Sequence, residues 1–243
     1  MIRNGRRRAR SSGFSLIELA IVLVIIGLLI GGGVVALQAT TERQQRSEER
    51  RQMEQVRDAL YGFAMANGHL PCADTDEPPN GQQNRNGEQC ASGADRGALP
   101  WATLGVGERD AWGHRLYYAV DPEYARQPEE GAGAWITFDS EPDLSVESSV
   151  TDPDAVTLAS SVVAVVVSFG GQGGQVWTEN GFECPVQGFS DDERENCNGS
   201  DPNLFVSGPY RGADSSLGRF DDIVTWIPDS VFKARLVQAG RLP

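Results

Sequence analysis

The chain has 243 residues, 40% hydrophobic and 23% charged, enough for one ordinary domain plus an appendage, and its composition excludes a collagen, a coiled coil or a fully disordered chain. Lys and Arg number 21 against 34 Asp and Glu, for a net charge of -13, yet Arg3, Arg6, Arg7, Arg8 and Arg10 crowd into the first thirteen residues without an acid. The other 16 basic and 34 acidic side chains make a surface that repels phosphate backbones, so no nucleic-acid partner is expected, and two histidines leave little room for a His-rich zinc site.

The first predicted element is a membrane helix. From Leu19 to Leu37 nineteen residues carry no charge, which suffices to cross about 30 Å of hydrocarbon. The arginines before the run should stay cytoplasmic and the rest should be exported. A cleavable signal has a shorter apolar region, about 7 to 15 residues, and the nearest cleavage site, at Ala39, is poor. Glu18 stands at the front of this greasy segment, where a carboxylate costs several kcal/mol unless neutralised. A cut between Gly13 and Phe14 would create an amine at the end of the same helix. Pairing of that amine with Glu18 of a neighbour would set an axial register between subunits. Gly27, Gly31, Gly32 and Gly33 mark where the helix can bend or melt, or where small residues let helices pack closely.

The run SSGFSLIELAIVLVIIGLLIGG resembles the class III leader junction of type IV prepilins and type II secretion pseudopilins. That resemblance implies Gly13 as the last leader residue, Phe14 as the cleaved and N-methylated first residue of the mature chain, and Glu18 as the acid that assembly requires. It also implies partners: other pilin or pseudopilin subunits, a prepilin peptidase and an inner-membrane assembly platform. By the same resemblance, this chain is the peptidase's substrate.

Residues 38 to 66 should continue the helix, polar all round in the first half and supported by spacings such as Glu42 to Arg46. The second half aligns Met53, Val56, Leu60, Phe63 and Ala64 as a core-facing stripe, and Asn67 with Gly68 supplies the stop. Short β-branched or aromatic runs follow at 115–120, 134–138, 161–169, 175–178, 204–207 and 222–226. The run SVVAVVVSF does not alternate, so it should be a central strand covered on both faces. The expected fold is α+β and type IV pilin-like, a long helix packed on an antiparallel sheet, with a last short helix capped by Asp229 or Ser230 and stopped at Gly240. The divisions are a leader at 1–13, a transmembrane half-helix at 14–37, an amphipathic half at 38–66 and an exported head at 67–243.

Cys72, Cys90, Cys184 and Cys197 lie in the exported part, where disulfides persist. No C-x-x-C pair exists, which argues against zinc. Of three connectivities we favour the two local ones, Cys72 with Cys90 and Cys184 with Cys197, each closing a polar loop. A second resemblance covers the head: the order LPC, GALPWATLG, DAWGHRLYYAV, SFGGQGG, FDDIVTW is similar to the head of the major pseudopilin and its relatives. It implies a calcium ion held by Asp221 and Asp222, assisted by main-chain carbonyls near Ser168 to Gly171, although the family's loop acid falls on Gln172. Asp74, Asp76 and Asn80 form another candidate calcium loop by their D-x-D spacing, with Pro78 and Pro79 where an EF-hand needs freedom.

No nucleophile elbow, P-loop, zincin motif or complete dinucleotide fingerprint occurs, so an enzyme is not expected. The sequence reads as a minor pilin or pseudopilin held in the inner membrane, amino terminus cytoplasmic and head periplasmic, before entering a filament. The alternative is a membrane-anchored periplasmic binding protein or adhesin with aromatic and acidic head loops.

Overall fold

The computed structural model describes residues 15–128, 133–178, 181–185, 187–199 and 201–242, with backbone alone for residues 28–39 and Asn198. Two compact units divide after Gln44.

In the first unit, helix α1 (Leu16–Asn67) begins. Its backbone is helical through Gly27 and Gly31 to Gly33. Leu16, Ile17, Leu19 and the run from Ile21 to Ile26 are exposed. Among the described residues no helix is long and apolar enough to cross a membrane; the uncharged run expected at Leu19–Leu37 continues past Gly27 into positions whose side chains lie outside the described set.

The second unit contains the carboxy-terminal part of α1. Met53, Val56, Leu60 and Ala64 recur at helical spacing and are buried. Phe63 is only half-buried and meets the His69 ring edge-on at 5.5 Å, while Tyr61 joins the core in its place. The helix ends where Gly68, at φ 81°, returns its N–H to Ala64 O at 2.7 Å, a turn that a side chain would strain.

After α1 come the hairpin β1 (Arg85–Asn86) and β2 (Gln89–Cys90), then β3 (Arg96–Ala98), the short helix α2 (Trp101–Leu104), β4 (Tyr117–Val120), β5 (Leu144–Glu147) and β6 (Thr157–Ser168). A 3-10 turn at Gly170–Gln172 leads into α3 (Gly173–Val176), the small hairpin β7 (Trp177–Thr178) and β8 (Gly181–Phe182), α4 (Asp191–Asn198), β9 (Leu204–Val206), β10 (Ile223–Pro228) and α5 (Asp229–Gln238).

Strand β6 organises the head: β4, β5 and β10 all pair with it antiparallel. Residues 162–168 are buried throughout, because their valines feed two cores. Val163, Ala164 and Val166 join the α1 face with Ile223, Phe232 and Leu236, whereas Val162, Val165 and Val167 meet Phe169, Val176 and Phe205. Burial on both faces is what a non-alternating apolar run produces.

Four expectations are corrected. The main sheet is mixed, because β9 runs parallel to β5. The segment 134–138 is irregular: Ala134 N donates to Arg241 O and Ile136 fills the core, so its apolar residues serve packing without a ladder. Gln175 and Val176 close a helical turn, leaving only Trp177 and Thr178 as strand. Helix α5 begins after Pro228 without a side-chain cap, since Asp229 is engaged by the Tyr124 hydroxyl at 2.7 Å and Lys233 Nζ at 2.8 Å.

Candidate functional site

Ser15 caps the amino-terminal helix. Its Oγ accepts from Glu18 N at 3.2 Å, and its own N–H points at Glu18 Oε2 at 3.5 Å. This reciprocal S-x-x-E arrangement satisfies backbone donors that open any helix. Glu18 thus stands at the third helical position, its carboxylate turned back toward the chain end, where the helix dipole favours negative charge. Gly13 and Phe14 lie outside the described residues.

A second S-x-x-E box opens α4 in the head. Ser190 Oγ accepts from Glu193 N and Glu193 Oε2 accepts from Ser190 N. The box leaves Glu193 Oε1 to accept from Asp221 N at 3.2 Å, which brings Glu193, Asp221 and Asp222 together. All three are buried, with one carboxylate oxygen of each within 4.8 Å of the others. Asp221 Oδ2 accepts from Arg219 Nη2 at 2.5 Å and Gly171 N at 3.3 Å; Asp222 Oδ2 accepts from Asn196 at 2.8 Å. Asp221 Oδ1 and Asp222 Oδ1 have no hydrogen-bond partner among the described residues. Burial, reinforced by the neighbouring acids, pushes the Asp222 carboxyl well above its ordinary range and raises that of Glu193.

Three carboxylates, two with an orphaned oxygen, suit a hard divalent cation such as calcium. They supply fewer than the roughly six to eight oxygens calcium takes, so carbonyls or water must complete the shell. The glycine turn approaches the cluster through the Gly171 N–H, which donates to Asp221; Gly170 O instead faces His114 Nδ1 at 3.2 Å. Gln172 donates its Nε2 to Gly188 O.

Residues 8–34 match the family model of the prokaryotic N-terminal methylation motif. The chain carries a prepilin-type amino terminus. No curated protein and no solved structure matches the chain. The prepilin-type motif supports a pilin- or pseudopilin-type precursor, with the α+β head and two disulfides of a type IV pilin-like fold.

The disulfides join Cys72 to Cys90 and Cys184 to Cys197. Inside the first loop, Asp74 accepts from Asp76 N and Gly81 N, while Asp76 accepts from Asn80 and from Asn84 at 2.9 Å. These carboxylates already hold the loop's own donors, unlike the orphaned oxygens of Asp221 and Asp222. Ser168 Oγ donates to Asp110 at 2.7 Å, which anchors the start of the glycine turn.

Glu193 lies within the acidic stretch 191–195, whose charge alone does not distinguish it from a solvated face. The legible signal was S-x-x-E at 190–193, a helix start that turns one side of α4 inward.

Proposed function

We propose that this chain is a structural subunit, a minor pilin or pseudopilin, of a type IV pilus or a type II secretion pseudopilus. One observation carries the reading: residues 8–34 match the methylation motif, and within them Gly13 and Phe14 precede Glu18 at the front of an apolar run. In this reading residues 1–13 are a leader removed by a prepilin peptidase, and Phe14 becomes the methylated amino terminus. Residues 14–37 hold the subunit in the inner membrane and then pack in the filament core. Glu18 pairs with the new amine and sets register, and the head from residue 67 faces outward in the periplasm. The chain acts mechanically and catalyses nothing.

Calcium belongs to the same proposal. Glu193, Asp221 and Asp222 would hold it, exchanging the protons that burial favours for a divalent charge. The ion would brace α4, inside the Cys184–Cys197 loop, against β10.

Mass spectrometry of the mature amino terminus tests the reading. N-methylated Phe14 is expected; a retained Met1 or a start at Thr40 would overturn it. Glu18→Ala should insert in the membrane yet fail to enter filaments, and normal incorporation would remove the register argument.

A further inference from the structure

Strand β10 is paired on one side only. Its partner is β6, from Ile223 opposite Ser168 to Ile227 opposite Ala164, and among the described residues no other strand joins it. The direction of each peptide group follows from the neighbouring ladder. Asp121 N donates to Val163 O, so the odd residues of β6 face β4 and the even ones face β10. Ile223, Thr225 and Ile227 therefore use their backbone groups against β6, while the N–H and C=O of Val224 and Trp226 point away from the sheet. Neither pair forms a backbone hydrogen bond with any described residue beyond the ladder.

Two adjoining cavities, about 340 and 540 Å³, lie along this edge. The first is bounded on α1 by Arg46, Arg50 and Arg57, and the second by Arg57 and by Arg235 of α5. Glu54 and Asp58 share these walls, and Asp222 closes the floor of the first. Four arginines against these acids make a cationic strip on a chain of net charge -13. Arg46 donates to Asp221 O and lies over the Tyr210 ring, and Arg235 lies over Tyr61. Arg50 and Arg57 form no ion pair with any described residue, although Glu54 sits at helical spacing from both.

The dimensions also agree. Eleven helical rises from Arg46 to Arg57 span about 16.5 Å at 1.5 Å each. Five steps of extended chain at about 3.3 Å cover the same length, which is the run of a six-residue strand such as β10.

We propose that β10 and this arginine row form a docking groove for an extended, acidic segment of a partner protein. The segment adds as a strand to β10 through Val224 and Trp226, and its carboxylates meet the guanidinium groups. Main-chain bonds supply the pairing and the charge row supplies the selectivity. An open strand edge is otherwise a hazard that proteins cover or charge, and here the covering element would come from outside. The inference does not depend on the pilin reading, since any acidic partner satisfies it.

The probe is a blocked hexapeptide of alternating Glu and Val, titrated into the full-length protein in detergent micelles, with a Lys and Val peptide as control. Hydrogen exchange is followed by NMR. The acidic peptide should bind saturably, weaken with added salt, and slow exchange at the Val224 and Trp226 amides. The double substitution Arg50→Glu and Arg57→Glu should weaken binding roughly tenfold or more, as the loss of two charge-assisted contacts implies; Arg50→Lys with Arg57→Lys should restore most of it. Val224→Pro removes an outward N–H without touching the β6 ladder and should also abolish binding. The proposal is overturned by protection elsewhere, by equal binding of the lysine peptide, by no binding, or by unchanged binding in either variant.

Discussion

Asn196 on α4 exchanges two hydrogen bonds with the backbone of Val206. Its Nδ2 donates to Val206 O at 2.9 Å and its Oδ1 accepts from Val206 N at 2.7 Å. One side chain thus imitates a ladder rung on the outer edge of β9, and the same Nδ2 reaches Asp222. The edge is closed where another strand would otherwise pair.

Replacing Asn196 by Leu should therefore cost more than one hydrogen bond. Both backbone groups of Val206 would be left unpaired in a buried site, a loss of about 3 kcal/mol. Urea unfolding should show that loss, and exchange at the Val206 amide should accelerate. A change below about 1 kcal/mol would mean that water replaces the amide.

Asp192 and Arg211 form an ion pair in which the carboxylate is fully buried and the guanidinium partly so. Asp192 is fully buried and also accepts from the Ser149 hydroxyl and from Val150 N at 2.7 Å. Arg211→Met should destabilise the head by about 3 to 5 kcal/mol because it strands a carboxylate. Adding Asp192→Asn should recover part of the loss in a double-mutant cycle, and simple additivity would show that the two do not couple.

Stability should fall as pH rises through the titration of Glu49. Its Oε2 accepts from Ala111 N at 2.8 Å while Oε1 has no partner among the described residues. Burial chiefly raises its pKa from 4.5 to about 7. Below pH 4.5 the folded and unfolded forms both carry the proton. Between 4.5 and 7 only the folded form keeps it, so stability declines across that window, and the loss is complete above 7. Glu49→Gln should remove this component and exceed the parent's stability at pH 8 by up to about 3 kcal/mol. Melting curves at several pH values, compared between parent and variant, give the difference; parallel curves would refute it.

Added calcium should raise the melting temperature of the head. At a hundredfold excess over Kd the gain is about 2.7 kcal/mol. Affinity should increase with pH, because the raised carboxyls of Glu193 and Asp222 must lose their protons to bind. Asp222→Asn together with Glu193→Gln should abolish the calcium-dependent shift, and a shift that survives both changes would place the ion elsewhere.

The sequence displayed some of this architecture plainly. The face formed by Met53, Val56, Leu60 and Ala64 was legible because helical periodicity is local, and the valine run of β6 because continuous apolarity needs two covers. The parallel pairing of β5 with β9 was not, since Ser145 and Leu204 are brought together across a stretch that includes β6 and α4, and such a long-range closure leaves no periodic trace. At the candidate ion site the adjacent acids Asp221 and Asp222 stood out. Glu193 did not, because a carboxylate on a charged octet such as DDERENCN looks solvated until its cap and the Asn196 clasp turn it inward.

The central strand has a further consequence for the order of events in folding. One flank of β6 is completed by β10, and Phe232, Leu236 and Leu242 behind it are core residues. The head therefore cannot finish folding before residues 223–242 have been synthesised and delivered. A chain stopped short of Ile223 would leave valines open to water along that flank. Arrival of β10 and α5 thus acts as a completeness check, since products lacking them would be recognisable as unfolded before they could join any larger assembly.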